Sequence, residues 1–222
     1  KTCIYTMAPM PRPLLERAIA ELCPTFVQPS GQTEMYPATT MSQPDRQLKR
    51  FGNYWGESMI VNETAIMDDD GKLLPRNRVG EIVHRGPNVM LGYYKDPKAT
   101  EESRKFGWHH TGDLGLIDEH GEVLFLDRKK DMIKSGGENV ASVKIEETLL
   151  AHPAVLSAAV VGLPHPDWGE AVSAFIKLKP GAQADETGIA EHCRKHLGGF
   201  QVPKLVKIVD EMPMTATGKL RK

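Results

Sequence analysis

The sequence predicts a mixed fold, α/β at its start and α+β at its end, with a β-rich stretch between. Three observations carry this reading. A helix-spaced apolar set followed by a short strand opens the chain over residues 11–28. Short apolar runs cut by turn residues fill positions 35–127. From residue 128 onward the order helix, strand, strand, helix, strand describes a small sheet covered by two helices.

In residues 11–23, Leu14, Leu15, Ala18, Ile19 and Leu22 recur at helical spacing, and Pro11 and Pro13 suit a first turn, where a missing N–H is tolerated. Pro24 ends that pattern. Phe26 to Gln28 reads as a short strand running into a loop of small polar residues. Next, "SMIVNE", "GEIVHRG" and "EVLFLD" read as strands, with turns at Asp70-Gly71, Gly86-Pro87 and His120-Gly121. Asp96-Pro97 starts one short surface helix. In the last region "VASVKIEETLLAH" is expected to be a helix capped by Ser142, with Ile145 and Leu149 stacked at i and i+4. "AVLSAAVVGL" and "AVSAFIKLK" are strands, "DETGIAEHCRKHL" is a helix with Ile189, Cys193 and Leu197 on one face, and "KLVKIVDE" is a further strand. The boundary falls in the charged run Asp127 to Asp131.

Composition narrows the function. With 28 basic and 29 acidic residues the net charge is −1, so no global field draws in nucleic acid or an anionic membrane, and an anionic ligand needs a local site. The longest apolar stretch, Ala154 to Leu163, is far shorter than the ~20 residues a bilayer requires. The opening residues lack the basic and apolar regions of a signal peptide. Cys3, Cys23 and Cys193 are odd in number, widely spaced and without zinc-ligand spacing, which fits reduced thiols and a cytoplasmic location.

Four separated segments carry chemistry. In "GQTE", Gly31 to Glu34, a glycine lets backbone approach a phosphate, a threonine hydroxyl can bond to it, and a carboxylate can hold Mg²⁺. In "GWHHTGDLG", Asp113 follows a Thr-Gly turn and precedes an apolar strand, and its carboxylate could accept both hydroxyls of a ribose. In "LDRKKDMIKSGGEN", Arg128, Lys129, Lys130 and Lys134 lie on a β-like segment before the paired Gly136 and Gly137. In "PMTATGKLRK", Lys219 sits in a glycine-hinged loop that could bring a point charge to a phosphate. Taken singly, each segment also reads as an ordinary turn, charged hairpin or polar tail.

Together and in this order they resemble the adenylate-forming superfamily of acyl-CoA synthetases, adenylation domains and luciferases. "GQTE" is similar to its phosphate signature, "VMLGYYKDPKAT" to its glycine-tyrosine segment and "HTGDLG" to its ribose motif. "DRKKDMIKSGGENV" is similar to its hinge and crossover loop, and "PMTATGKLRK" to its terminal lysine motif. The resemblance runs over almost the whole chain. It implies that residues 1–127 end a large AMP-binding domain, with a β-rich, distorted-barrel subdomain over 35–127, and that 128–222 form a small mobile domain.

By the same resemblance Gly31, Gln32, Thr33, Asp113 and Arg128 bind nucleotide. Thr33 meets the α-phosphate and Glu34 the Mg²⁺. Lys130 is the hinge, Gly136, Gly137 and Glu138 line the CoA tunnel, and Lys219 bridges carboxylate and phosphate. The implied activity is that of an acid–thiol ligase: a small-molecule carboxylate, expected to be a fatty acid, reacts with ATP, releasing pyrophosphate, and CoA then displaces AMP. An aryl-CoA ligase and a non-catalytic nucleotide- or partner-binding remnant are the alternatives. Two departures stand out. Ser30 replaces the family's aromatic residue that stacks on adenine, and no Gly/Ser/Thr-rich phosphate loop occurs between Lys1 and Ser30. The chain is therefore expected to be a C-terminal fragment, inactive alone.

Overall fold

The computed structural model describes residues 1–6, 10, 12–49, 52–216 and 220–222. The chain divides into two compact units, Lys1–Lys129 and Lys130–Lys222.

In the first unit, β1 (Cys3–Ile4), α1 (Arg12–Glu21) and β2 (Phe26–Gln32) form a strand–helix–strand start, with β1 parallel to β2. Pro11 lies outside the described residues. Leu15, Cys23 and Phe26 close a small core under α1. There follow β3 (Met35–Ser42), β4 (Asn53–Ser58), β5 (Glu63–Met67), β6 (Gly80–Arg85), α2 (Pro97–Glu102), β7 (His109–Ile117) and β8 (Val123–Arg128). They build one eight-stranded sheet in the order β1-β2-β3-β4-β8-β7-β6-β5. The start of α2 is set as its sequence suggests: Asp96 accepts from the Ala99 N–H at 2.9 Å and Pro97 follows.

Three expectations change here. β2 does not stop at Gln28. It runs to Gln32, because Gln28, Pro29 and Ser30 find partners on β3, and Gln32 pairs with Met35. Thr33 and Glu34 are thus the two residues of a tight hairpin turn rather than part of a loose loop. "SMIVNE" is not one strand: Met59 to Asn62 turn the chain between β4 and β5, with the Asn62 N–H bonded to the Met59 carbonyl. Asp113 lies inside β7 rather than ahead of it, and a register shift between Leu114 and Gly115 marks a bulge beside it.

The second unit holds β9 (Ile133–Ser135), β10 (Glu138–Val140), α3 (Ser142–Leu150), β11 (Val155–His165), β12 (Gly169–Leu178), α4 (Glu186–His196) and β13 (Leu205–Ile208). The sheet order is β10-β9-β12-β11, with β13 parallel to β12. Ile145 and Leu149 of α3 and Ile189 and Cys193 of α4 pack with Val160, Val172 and Ile176 of the sheet in one core. Asp185 caps α4, accepting from the Gly188 N–H at 2.8 Å. The basic run 128–134 is not one strand: β8 ends at Arg128 and Lys134 belongs to β9. Ser142 does not cap α3. Ala141 holds the cap position without a side-chain bond, and the Ser142 hydroxyl is turned to Lys222.

Candidate functional site

In the first unit the "GQTE" turn and the "HTGDLG" strand meet through one side chain. Gln32 Nε2 donates to Asp113 Oδ2 at 3.1 Å and to the Thr111 carbonyl at 3.3 Å. Its Oε1 accepts from His109 Nε2 at 3.2 Å. Gly31 permits the hairpin to close, since a Cβ there would stand 3.1 Å from the Ala38 backbone. That contact is tighter than side chains usually make.

Asp113 is aimed by the bend before it. Gly112 has φ +73, and a Cβ there would meet open space, so it is the backbone conformation that favours glycine. The Thr111 hydroxyl donates to the Ile82 carbonyl at 2.6 Å and accepts from the Asp113 N–H at 3.0 Å. Beneath the bend, Glu81 accepts from the Gly112 N–H at 3.0 Å and from Lys129 Nζ at 3.1 Å, and faces His110 Nδ1 at 3.2 Å. Burial alone would raise the Glu81 carboxyl, but these three donors outweigh it and hold it below its ordinary value. Glu81, His109 and Thr111 thus brace the site, although the sequence reading did not single them out. The sequence cue was Glu81, a carboxylate within the apolar run "GEIVHRG".

Asp113 itself is buried, and burial pushes its carboxyl from 3.8 up to about 6 against the pull of Arg128 and Gln32. Arg128 Nε stands 4.0 Å from Asp113 Oδ1, across the β7–β8 pairing, and its side chain is 55% exposed. That is too long for a hydrogen bond. The guanidinium therefore acts on Asp113 through its charge rather than through a hydrogen bond.

Thr33 is exposed at the hairpin turn. Glu34 is half-buried, and its Oε1 accepts from the Tyr93 hydroxyl at 2.9 Å. Its backbone carbonyl accepts from the Met90 N–H at 2.7 Å. The "LGYYKDP" segment thus holds this carboxylate in place. Among the described residues no cluster of three or more His, Cys, Asp or Glu could hold a metal. A lone carboxylate suits Mg²⁺ that arrives with phosphate oxygens and keeps several waters. Ser30 lies on β2, and its carbonyl accepts from the Thr39 hydroxyl at 3.3 Å.

In the second unit Gly136 and Gly137 form the two-residue turn of the β9–β10 hairpin, since Ser135 pairs with Glu138. Their φ values are +60 and +84, as this tight turn demands. The Gly136 N–H donates to the Trp168 carbonyl at 3.0 Å, and Gly137 has open space where a Cβ would stand. Glu138 follows, exposed. Lys130 is the first residue of this unit. Lys219 lies outside the described residues. The structure thus gathers Gly31, Gln32, Thr33, Glu34, Asp113 and Arg128 in one unit, and Gly136, Gly137 and Glu138 in the other.

Residues 1–94 match the family described as AMP-binding enzyme, and residues 144–219 the family described as AMP-binding enzyme C-terminal domain. The chain belongs to the adenylate-forming, AMP-binding enzymes. It is 40% identical over 212 residues to a 2-succinylbenzoate–CoA ligase of Geobacillus kaustophilus, covering 96% of this chain and 43% of that one. It is 46% identical over 144 residues to a trans-cinnamate:CoA ligase of Petunia hybrida, covering 65% and 25%. Among solved structures, the o-succinylbenzoate CoA synthetase of Bacillus subtilis with its acyl-adenylate intermediate superposes with a TM-score of 0.91. Its identity is 32%, over 99% of this chain and 44% of that one. The same enzyme has also been solved with ATP and a magnesium ion. The chain spans about 43% of the length of the Geobacillus relative and 25% of the Petunia one. Among the described residues no helix is long and apolar enough to cross a membrane.

Proposed function

We propose that this chain contributes the ribose-binding, hinge and thioester-forming parts of an AMP-forming acid–CoA ligase. Residues 1–127 complete its large domain and 128–222 are its small mobile domain. The observation that carries the reading is Gln32, which ties the Gly31–Glu34 turn to Asp113 at 3.1 Å. Phosphate-side and ribose-side groups therefore share one end of a sheet. In this reading Gly31, Gln32 and Thr33 approach the α-phosphate and Glu34 takes Mg²⁺ on the ATP. Asp113 accepts the ribose hydroxyls with Arg128 beside it.

The carboxylate attacks the α-phosphorus, pyrophosphate leaves, and the CoA thiol then expels AMP. Negative charge gathers in the first step, where Lys219 acts as a preorganised cation. Lys130 is the hinge, a role supported by the division of the chain between Lys129 and Lys130. The Gly136–Gly137 hairpin and Glu138 line the path of the CoA arm, where open space beside Gly137 supports close approach. The three cysteines are free thiols, which supports the cytoplasm as the place of action.

The fatty acid expected from sequence gives way here to an aromatic acid. Relatives at 40% and 46% identity carry the names of 2-succinylbenzoate and trans-cinnamate ligases. Carboxylate-dependent exchange of labelled pyrophosphate into ATP, run on the full-length protein with aryl and aliphatic acids, tests both levels. Exchange that favours aryl acids is expected. Preference for long-chain aliphatic acids would return the substrate to the fatty-acid reading, and no exchange with any acid would sink the ligase reading. In the same protein Lys219→Ala should slow adenylation by about 10²–10³. Thioester formation from synthetic acyl-adenylate should be left nearly unchanged.

A further inference from the structure

The segment around Lys219 is tied down on both sides of residues 217–219. Met214 and Leu220 pair as an antiparallel bridge, and the Arg221 N–H donates to the Pro213 carbonyl at 2.8 Å. Lys222 then turns inward. Its Nζ stands 2.8 Å from Glu146 Oε1 and donates to Ser142 Oγ at 2.8 Å. The Lys222 and Glu146 side chains are only 18% and 16% exposed, and Ser142 is fully buried. The same Glu146 oxygen accepts from the Val160 N–H of β11 at 2.7 Å, so the carboxylate is held by the sheet as well. A shielded pair of this kind differs from an exposed surface bridge, because removing one partner strands the other charge away from water.

Both acceptors lie early in α3, and α3 begins two residues after β10 ends at Val140. The helix that follows the Gly136–Gly137 hairpin therefore also holds the end of the lysine segment.

We propose that Lys222 is a positioning residue for adenylation. By pairing with Glu146 and Ser142 it fixes Leu220 and Arg221, the residues that follow Lys219, against the first turns of α3. This rests on the reading of Lys219 as the adenylation lysine. It adds that the two working loops of the small domain share one anchor, so the domain presents either loop as part of a rigid body. The hairpin turn is closed by its own β9–β10 pairing. Loss of the anchor therefore loosens the lysine segment and leaves the hairpin in place.

The test uses the full-length protein with Lys222→Met, which keeps the aliphatic stem, and Lys222→Arg, which keeps the charge. In Lys222→Met, hydrogen exchange of the Arg221 amide should accelerate. Adenylation should fall roughly tenfold to a hundredfold, the scale of one charge-assisted contact or a small misplacement. Thioester formation from synthetic acyl-adenylate should stay within about twofold, and Lys222→Arg should restore both exchange protection and adenylation. Unchanged protection at Arg221 in Lys222→Met overturns the anchor. Equal slowing of both half-reactions overturns the positioning role, as does unchanged adenylation in Lys222→Met. Lys219→Ala, run in parallel, separates the two ideas. If it leaves adenylation intact, the reading of Lys219 itself has failed.

Discussion

At the scale of single residues, Asp113 shows what burial in a sheet does to a carboxylate. Burial raises its carboxyl from 3.8 to about 6, so ionisation is resisted in the folded unit. The sign follows directly. The unfolded chain ionises near 3.8, so the folded unit gains relative stability below that value and loses it as pH rises through about 6. At pH 8 the ionised Asp113 costs on the order of 2–3 kcal/mol. Asp113→Asn should therefore raise the stability of the first unit at pH 8 and flatten its pH dependence between 4 and 7, as measured by urea unfolding. In the proposed reading a ribose diol donates to the ionised form, so AMP affinity should weaken as pH falls below about 6, by at most about tenfold per pH unit. Calorimetric titration that found equal affinity at pH 5 and pH 8 would remove Asp113 from the nucleotide contact. Gly137 makes a simpler case. Its φ of +84 makes Gly137→Ala cost about 1–2 kcal/mol through the backbone alone, because a Cβ there meets nothing.

At the scale of elements, hairpins rather than loops carry the candidate residues of each unit. The β2–β3 turn presents Thr33 and Glu34, and the β9–β10 turn presents Gly136 and Gly137. Gln32 reaches across to β7 and links the first of these to Asp113. Gln32→Leu removes the donor to Asp113 and leaves His109 Nε2 without its acceptor, in a ring whose Nδ1 already has no partner among the described residues. It should raise the Asp113 carboxyl further and destabilise the unit by about 1–3 kcal/mol. Carboxyl titration followed by NMR would show the shift, and an unchanged Asp113 titration would mean that Gln32 contributes nothing to the site. Elements also differ in how firmly they are held. Among the described residues the core under α1 has three buried residues, whereas the one joining α3, α4 and the second sheet has thirteen. Amides of residues 1–40 should exchange faster than those of β11 and β12.

At the scale of the whole molecule, two compact units with separate cores divide between Lys129 and Lys130. Calorimetry should resolve two transitions, the second unit melting last; a single coincident transition would mean that the units unfold as one. Lys130→Pro in the full-length protein should slow thioester formation more than adenylation, because a fixed φ restricts rotation at the proposed hinge. The sequence by itself determined the four helices, the last three strands, the motifs and their family; it did not read β1, β3 or β10 as strands. Apolar period, Pro and Gly positions and turn chemistry act over a few residues, and so remain legible in one dimension. It misread just where that local logic meets distant partners. Ser142 has the chemistry of a helix cap, yet its hydroxyl serves Lys222, 80 residues away. "PSGQ" has the composition of a loop, yet β3 makes it strand. Only the tertiary structure decided that Gln32 joins His109 and Asp113, 77 and 81 residues further on. Such contacts depend on strand register, which is set by the packing of whole sheets and leaves no local spacing to read.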